Sequence, residues 1–346
     1  MKKVLFSIII PVKEINDYLR KETIPAILSQ SEKKFEVIIL PDKKTKEKFS
    51  DKRIKIIPSW PKIGPADKRD LGAKKAKGEI LAFLDDDSYP VKDWLKNALK
   101  IFNLKKFNPS LIVGVCGPAI TPPQDNILQK TSGYVWSTFL GSGGAGNYRC
   151  AIKSRREVDD YPSVNLLVRK KDFFQVGGFN SSFWPGEDTK LCHDLVYKLG
   201  KKIIYDPTVL VYHHRREIFR PHLRQISRYA LHRGYFARVI PKTSFRLGYL
   251  LPTFFVLGLI GGPIIIFFAK KLEFYFLSNL LNWFYWGVIS FYLLALLFTA
   301  WDVYRQERNW KVAFLVIPAI FITHLVYGIL FLKGFFTPNL KSKYGR

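Results

Sequence analysis

Short apolar runs alternate with amphipathic segments over the first part of the chain. Runs at residues 4–12, 35–40, 54–57, 80–84 and 111–116 are rich in β-branched and large apolar residues, which predicts buried strands. Segments 16–30, 66–77 and 91–102 lie between these runs and predict helices, because apolar residues in the last of them recur every three or four positions. This alternation predicts an α/β domain with a mostly parallel, doubly wound sheet.

The rest of the chain has a different pattern. Apolar segments at 247–269, 274–300 and 312–332 each exceed the ~20 residues that a helix needs to cross hydrocarbon. Before them, residues 215–238 hold seven arginines and one acid, with Arg216, Arg220, Arg224 and Arg228 four positions apart. This predicts a basic amphipathic helix that lies on anionic headgroups. We therefore expect an α/β domain at 1–214, an interfacial region at 215–245 and an all-α transmembrane region at 246–346.

Three crossings would place the tail on the opposite side of the membrane from the first domain. Arg305, Arg308 and Lys311 fit the positive-inside tendency in this topology, but the basic tail does not. If the segment around 261–263 (Gly-Gly-Pro) breaks and folds back, the tail lies on the same side as the first domain. We expect three spans, because 23 residues at ~1.5 Å each reach ~34 Å.

The net charge of +27, from 55 Lys plus Arg against 28 Asp plus Glu, implies anionic partners. Nucleic acid, lipid headgroups and nucleotide phosphates are all candidates at this point. Cys116, Cys150 and Cys192 are widely spaced and form no CxxC pair, which is typical of reduced packing residues in a cytosolic domain.

Three consecutive acids, Asp85, Asp86 and Asp87, end the predicted strand at 80–84. Carboxylates at the tip of a buried strand repel one another, and a cation offsets that repulsion. Oxygen ligands on a short, rigid tip suit Mg²⁺ or Mn²⁺, and the carboxyl ends of strands are where open α/β sheets bind ligands. A solvated acidic turn is the alternative.

Several motifs in a fixed order extend this hypothesis. The chain opens with FSIIIPVKE at 6–14, has Asp42 after its second strand, and continues with GPADKRDLGAKKAKGEILAFLDDD at 64–87. Further motifs follow at 177–180, 186–188 and 211–214. Over about residues 4–240 the sequence resembles the family 2 glycosyltransferases of GT-A (Rossmann-like) fold. Within that family it is most similar to membrane-attached exopolysaccharide enzymes of the succinoglycan-synthesis type.

The resemblance implies a donor site. Pro11 and Glu14 would border the nucleotide, and Asp42 would contact the base. Residues Lys68, Arg69, Asp85 and Asp86 would contact the rest of the donor, with the two basic side chains near its diphosphate. Two alternatives stay open: Asp42 is a turn residue after a strand, or the two basic residues belong to a solvated helix face.

The resemblance also implies a metal site. Asp85 and Asp87 match the Asp-x-Asp motif, with Asp87 as the main ligand of Mn²⁺ or Mg²⁺. His213 or His214, at the end of a strand-like run, would complete the metal shell. The alternative for either histidine is a hydrogen-bonded packing role.

On the acceptor side, Glu187 and Asp188 match the catalytic motif, with Asp188 as the expected base. A helix cap at Asp188 is the alternative. Trp184 would stack on the acceptor sugar. Gln225, Arg228 and Tyr229 resemble a QxxRW signature near the acceptor and the donor diphosphate, with Tyr in place of Trp; a generic basic surface helix is the alternative. The Gly-rich segment 141–161 would be a mobile loop over this side, or a linker.

Together these features predict an inverting, metal-dependent glycosyltransferase. Its donor would be a nucleotide-diphosphate sugar, and its acceptor a lipid-linked (polyprenyl-type) or growing polysaccharide at the cytoplasmic face of the cell membrane. Anionic lipids are expected partners. Nucleic acid is not, because no RNA- or DNA-binding motif accompanies the charge. The alternatives are a processive polysaccharide synthase and a non-catalytic, basic, membrane-associated binding protein.

Overall fold

A computed structural model describes residues 4–59, 63–104 and 108–340. They fold as two compact units, the first formed by residues up to 122 and 148–214, the second by 123–147 and 215–340. The strands are β1 Phe6–Pro11, β2 Phe35–Leu40, β3 Ile54–Ile56, β4 Ile80–Leu84, β5 Ser88–Pro90, β6 Ile112–Cys116, β7 Ala119–Ile120, β8 Arg156–Val158, β9 Asn165–Arg169, β10 Lys202–Tyr205 and β11 Val211–His213. The helices are α1 Ile24–Leu28, α2 Pro65–Lys75, α3 Trp94–Phe102, α4 Ile127–Ser137, α5 Lys170–Gln175, α6 Glu187–His193, α7 Arg220–Val239, α8 Pro241–Ser244, α9 Leu247–Lys271, α10 Tyr275–Glu307 and α11 Trp310–Phe336.

An eight-stranded sheet with the order β3-β2-β1-β4-β9-β6-β10-β8 forms the first unit. Strands β1 to β4 pair in parallel, as do β6 and β10. The short runs predicted as buried strands form this parallel part, so the α/β class is confirmed. The difference lies at β9, which pairs antiparallel with both β4 and β6, and at the antiparallel edge strand β8.

Both faces of this sheet are covered, which explains why its central strand β4, Ile80–Leu84, is apolar at every position. Alternate residues along β1 point to opposite faces, so that Ile8 and Ile10 join one core and Ile9 the other. Helix α3 buries Trp94 and Phe102 in the first core. The π turn Leu19–Thr23 leads into α1 on the same side.

A second, three-stranded sheet begins directly after the acidic turn that follows β4. Its order is β5-β11-β7, with β5 and β11 antiparallel and His213 opposite Ser88. This register fixes the end of β11 beside the turn at 85–87. Strand β11 forms within the strand-like run that precedes the two histidines, and it ends at His213.

Helices α4 and α7 to α11 form the second unit. We predicted that residues 123–147 belong to the first domain, but in the structure α4 packs with the C-terminal helices. Lys130 donates to Glu307 over 2.5 Å, and Val135 lies in one apolar cluster with Leu296 and Val316. The Gly-rich segment 141–161 therefore starts in this unit and ends in the first, at the edge strand β8.

Helices α9, α10 and α11 are long and apolar enough to cross a membrane. Helix α9 continues without a break through Gly262 and Pro263, so the alternative of a break and fold-back at 261–263 is wrong. Helix α7 forms where the basic helix was predicted. Its buried side, including Ile226 and Ala230, faces protein, because α7 packs along α11.

Candidate active site

The turn at 85–87 and the end of β11 bring three potential metal ligands together. Asp85, Asp87 and His213 can each offer one ligand atom such that these atoms all lie within 4.8 Å of one another. The turn is held by Ser88, whose hydroxyl donates to the Asp85 carbonyl over 2.8 Å. The backbone N–H of His214 donates to the Asp87 carbonyl over 3.0 Å, which ties the two strands together.

The chemistry of this donor set fits a divalent cation. Two carboxylate oxygens and one imidazole nitrogen suit Mn²⁺ or Mg²⁺ better than a soft metal. Asp87 Oδ1 lies 3.2 Å from His213 Nε2. Burial opposes ionisation of Asp87, but attraction to His213 outweighs it and holds the pKa of this carboxyl below its usual value. The ionised carboxylate is the form of Asp87 that would bind a metal, whereas His213 would bind it as the neutral imidazole.

His214, the alternative ligand, lies elsewhere. Its Nε2 is 3.1 Å from Glu22 Oε2, and its ring stacks on Tyr18 with centroids 4.2 Å apart. Adjacent residues in a strand point to opposite faces, so that only one histidine of the pair can face the turn. Of the two, the structure groups His213 with the aspartates.

Asp86 faces a different neighbour from Asp85 and Asp87. Its carboxylate accepts a hydrogen bond from the Asn16 side chain, and its carbonyl accepts one from Thr23 over 3.2 Å. Burial, together with the charges of Asp87 and Asp85, raises the pKa of Asp86 to about 7. The donor contact that we predicted for Asp86 stays a prediction.

Arg69 joins the two acidic motifs. Its Nη2 donates to Asp85 Oδ1 over 2.8 Å, and its Nη1 donates to Glu187 Oε1 over 3.1 Å. The other carboxylate oxygen of Glu187 accepts from the Gly186 N–H over 3.0 Å. The sequence predicted Arg69 near a diphosphate, and nothing in the sequence indicated that it links Asp85 to Glu187.

Lys68, next to Arg69 on α2, also has partners within the protein. Its Nζ donates to the Asp42 carboxylate and, over 2.6 Å, to the Val12 carbonyl. Pro11, the last residue of β1 and the neighbour of Val12 in the chain, is buried, whereas Glu14 is exposed. The structure thus places Asp42, Lys68 and the end of β1 together, and their contact with a nucleotide stays a prediction.

Asp188 occupies the first turn of α6. Gly186 precedes this helix with a φ of 147°, so Gly186 and not Asp188 has the cap position. Asp188 accepts hydrogen bonds from the N–H groups of Thr189 over 2.8 Å and Ser163 over 3.3 Å. The carboxylate stays partly accessible, yet the protein around it, and then the charges of Glu187 and Asp160, raise its pKa to about 7.

Asp160 is a neighbour that the sequence analysis missed. It is 2 % exposed, and its Oδ1 accepts from the Thr189 hydroxyl over 2.8 Å. Its Oδ2 accepts from Arg149 Nη2 over 2.8 Å. The charge of Asp160 therefore helps to raise the pKa of Asp188. Asp160 lies 28 residues earlier in the chain, and no sequence pattern distinguishes it there.

The remaining predicted residues fall in both units. Trp184 is half-buried in the first unit, directly before Pro185 and Gly186. Gln225 and Tyr229 lie in the second unit on α7, where the Gln225 amide donates to the Tyr229 hydroxyl over 3.3 Å. Arg228 is exposed on the same helix.

Comparison with known proteins agrees with this fold. The sequence profile of "Glycosyltransferase like family 2" matches residues 7–250. A relative from Methanococcus voltae, named dolichyl N-acetyl-alpha-D-glucosaminyl phosphate 3-beta-D-2,3-diacetamido-2,3-dideoxy-beta-D-glucuronosyltransferase, is 23% identical over 275 residues, 79% of this chain and 75% of the relative. The pre-mycofactocin glycosyltransferase of Mycobacterium tuberculosis is 27% identical over 161 residues, 45% of this chain but only 31% of its own length.

A solved structure shows the same fold. The mannosyltransferase PcManGT from Pyrobaculum calidifontis, in complex with GDP-Man and Mn²⁺, has a TM-score of 0.51 and 16% identity over 92% of this chain and 86% of its own. The narrower resemblance to succinoglycan-type enzymes stays a prediction. The fold and the family profile together identify the chain as a member of glycosyltransferase-like family 2.

Proposed function

We propose that this protein transfers a sugar from a nucleotide-diphosphate donor to an acceptor hydroxyl, with inversion at the anomeric carbon. One observation supports this proposal most strongly: Arg69 bridges Asp85 of the potential metal site and Glu187, the residue before Asp188. A donor-side and an acceptor-side carboxylate are thus held by one guanidinium.

On the donor side, Asp85, Asp87 and His213 would hold the metal, and Asp42 with Lys68 would meet the nucleoside. A divalent cation in this place stabilises the negative charge of the departing diphosphate. Asp42 would offer a carboxylate to the N–H donors of a base edge, and Lys68 would hold that carboxylate in place through their ion pair. We assign Pro11, Glu14 and Asp86 to the borders of the same donor site.

On the acceptor side, Asp188 would act as the base. The acceptor oxygen forms a bond to C1 of the donor sugar as the bond from C1 to the diphosphate oxygen breaks on the opposite face. The proton of the acceptor hydroxyl passes to Asp188, and the electron pair of the broken bond leaves with the nucleoside diphosphate. Glu187 positions this loop through Arg69, and Trp184 would stack on the acceptor sugar.

For the acceptor we propose a lipid-linked, polyprenyl-type molecule or a growing polysaccharide at the cytoplasmic face of the cell membrane. The archaeal relative is named for transfer to a dolichyl phosphate-linked sugar. The PcManGT structure contains GDP-Man and Mn²⁺, which supports a nucleotide sugar and a divalent ion here. Gln225, Arg228 and Tyr229 on α7, with anionic lipids, would serve the acceptor phosphate.

The test uses the full-length protein in lipid nanodiscs with UDP-, GDP- and dTDP-sugars, with and without Mn²⁺ or Mg²⁺. One donor should raise the melting temperature in a metal-dependent way, because it binds only the folded state. The same donor should release its nucleoside diphosphate when a polyprenyl-linked sugar is added, and NMR of the product should show an inverted anomeric centre. If no donor binds or is consumed under any of these conditions, the transferase proposal is wrong.

A pH prediction follows from the environment of Asp188. A base must be ionised, so kcat/KM should rise with pH through an apparent pKa near 7, as the pKa of Asp188 implies. In Asp160→Asn the loss of a neighbouring negative charge favours the ionised form of Asp188. The acid limb of the profile should therefore move to lower pH, with donor Kd unchanged. An identical acid limb in both proteins would show that Asp160 does not influence the base.

A further inference from the structure

The three apolar helices of the second unit are not equivalent. In the most apolar stretch of α11, 39% of residues are buried within the protein, against 17% in α9 and 6% in α10. Residues buried on α11 include polar ones, Thr323 and His324. Helix α11 is thus covered largely by protein, whereas α9 and α10 expose most of their length.

One side of α11 is covered by α7. Near the start of α7, His222 Nε2 lies 3.2 Å from Thr323 Oγ1. Farther along, the two backbones touch: a Cβ on Gly334 would lie 1.9 Å from the Leu231 carbonyl oxygen. The second half of α11 and almost all of α7 therefore lie side by side and form one structural element.

The exposed arginines of α7 are incompatible with a position of α7 and α11 in the centre of the hydrocarbon. Arg220, Arg224 and Arg228 are exposed on α7. Thr323, which contacts the start of α7, lies at the middle of the predicted span 312–332. If α11 crossed the bilayer there, Arg220 and Arg224 would lie near the centre of the hydrocarbon, where exposed arginine is strongly unfavourable.

Helix α4 and the turn that follows it also cover α11. The Leu140 carbonyl accepts a hydrogen bond from His324 Nε2 over 3.1 Å, and Ser132 Oγ lies 2.8 Å from His222 Nδ1. Lys130 is paired with Glu307 just before α11 begins. A charged pair and a loop carbonyl beside α11 are typical of a protein–water boundary and not of a helix surrounded by lipid.

Helices α9 and α10 form a separate hairpin that extends past α11. They pack on each other where Tyr285 contacts Gly262 and where Ser278 donates to the Ile266 carbonyl over 3.4 Å. Their exposed large apolar side chains include Leu257, Ile260, Ile264, Ile265, Phe267, Phe268, Phe276, Leu280, Trp283, Phe284, Trp286, Val288 and Phe291.

Helix α11 meets α9 near its start, where Thr253 donates to the Gly328 carbonyl over 3.1 Å. It meets α10 in its second half, where the Tyr292 hydroxyl lies 2.9 Å from His324 Nδ1. From residue 257 to 271 the hairpin continues for ~22 Å. If α11 lies flat beside the hairpin, its ~10 Å width adds to this length. The sum is then close to the ~30 Å thickness of the hydrocarbon core.

The exposed part of α11 is a single stripe. Trp310, Phe314, Ile329 and Phe336 are exposed and fall within ~100° of one face of the helix. Exposed Lys311 and Lys333 stand near its two ends. An apolar stripe between terminal lysines is typical of a helix that lies in the membrane plane.

We propose that the α9–α10 hairpin crosses the bilayer twice and that α11 lies in the interface, with the arginines of α7 against anionic headgroups. The two crossings return the chain to the side from which it entered. Residues before 247 and after 307 then face the same side of the membrane. This arrangement also removes the conflict between three crossings and the basic tail.

The test is labelling of single cysteines by a membrane-impermeant maleimide, with the full chain in intact cells and in inverted vesicles. Each cysteine is introduced in a Cys150→Ser background, because Cys116 and Cys192 are buried. The four variants are Leu272→Cys in the hairpin turn, Gln306→Cys in the last turn of α10, Asn339→Cys in the tail, and Arg224→Cys on α7. The background protein is the blank, and Phe284→Cys in the hairpin should stay unlabelled on both sides.

We expect Gln306→Cys, Asn339→Cys and Arg224→Cys to react from one face and Leu272→Cys from the other. Labelling of Asn339→Cys from the face of Leu272→Cys would establish three crossings and overturn the proposal. Reaction of Leu272→Cys from the face of Gln306→Cys would show that the hairpin does not cross. If the Arg224→Cys protein reacts with the maleimide from neither face, α7 lies in the hydrocarbon and the proposal is wrong. A reporter fused after Arg346 repeats the tail measurement independently, and none of these readouts requires sugar transfer.

Discussion

Asp188→Asn should lower the rate of sugar transfer by on the order of 10²–10⁴, the usual contribution of a positioned base. Asparagine keeps the size of the side chain and one oxygen that can accept from the Thr189 N–H group, while its NH₂ group replaces the oxygen that accepts the longer bond from the Ser163 N–H group. It cannot take a proton from the acceptor. The loss should therefore appear in kcat, while the Kd of the donor stays nearly unchanged.

The same substitution separates the base from a structural role. Gly186 and not Asp188 has the cap position of α6, so if Asp188 only accepts the Thr189 and Ser163 N–H groups, the change should affect the melting temperature and leave the transfer rate of the folded protein nearly unchanged. The melting temperature of Asp188→Asn is the control for folding, and donor titration is the control for the site. A folded Asp188→Asn protein that transfers sugar at nearly the normal rate would contradict the assignment of the base.

Much of the first unit could be predicted because its strands are buried on both faces. Residues 80–84 are apolar at every position, which marks a central strand and hence places Asp85 and Asp87 at its carboxyl end. The antiparallel strand β9 between β4 and β6 could not be predicted. Residues 165–169 lie far from both partners in the chain, and strand direction has no local signal.

The choice between His213 and His214 shows a second limit. His213 ends β11 and His214 follows it, and a shift of one residue in register exchanges their faces. The pairing of His213 with Ser88 determines which histidine faces the aspartates. That pairing depends on the turn at 85–87, in another part of the chain. Composition and spacing contain no information about it.

Long-range ion pairs set the third limit. Arg69 lies next to Lys68 on α2, yet one side chain contacts Asp85 and Glu187 and the other contacts Asp42. The sequence predicted a basic helix near the donor for both. Their separate roles follow from the side of the helix on which each charge lies and from which buried acid it meets.

Asp87→Ala should abolish most of the metal-dependent part of donor binding. The side chain is one of three potential ligands, and it lies 3.2 Å from His213 Nε2, so its removal leaves the site with one carboxylate and one imidazole. A cation on a diphosphate supplies several kcal/mol of charge stabilisation, and each 1.4 kcal/mol is tenfold in affinity. Donor Kd in Mn²⁺ should thus rise by about 10²-fold, as isothermal titration would measure.

The matched control for Asp87→Ala is Asp93→Ala, which removes an exposed carboxylate at the start of α3, six residues farther along the chain. Its donor Kd in Mn²⁺ should equal that of the unchanged protein. Chelation of the metal should weaken donor binding to the unchanged protein and to Asp93→Ala, but should have little further effect on Asp87→Ala. If Asp87→Ala loses as much affinity on chelation as the unchanged protein does, the cation binds elsewhere and the group of Asp85, Asp87 and His213 is not the metal site.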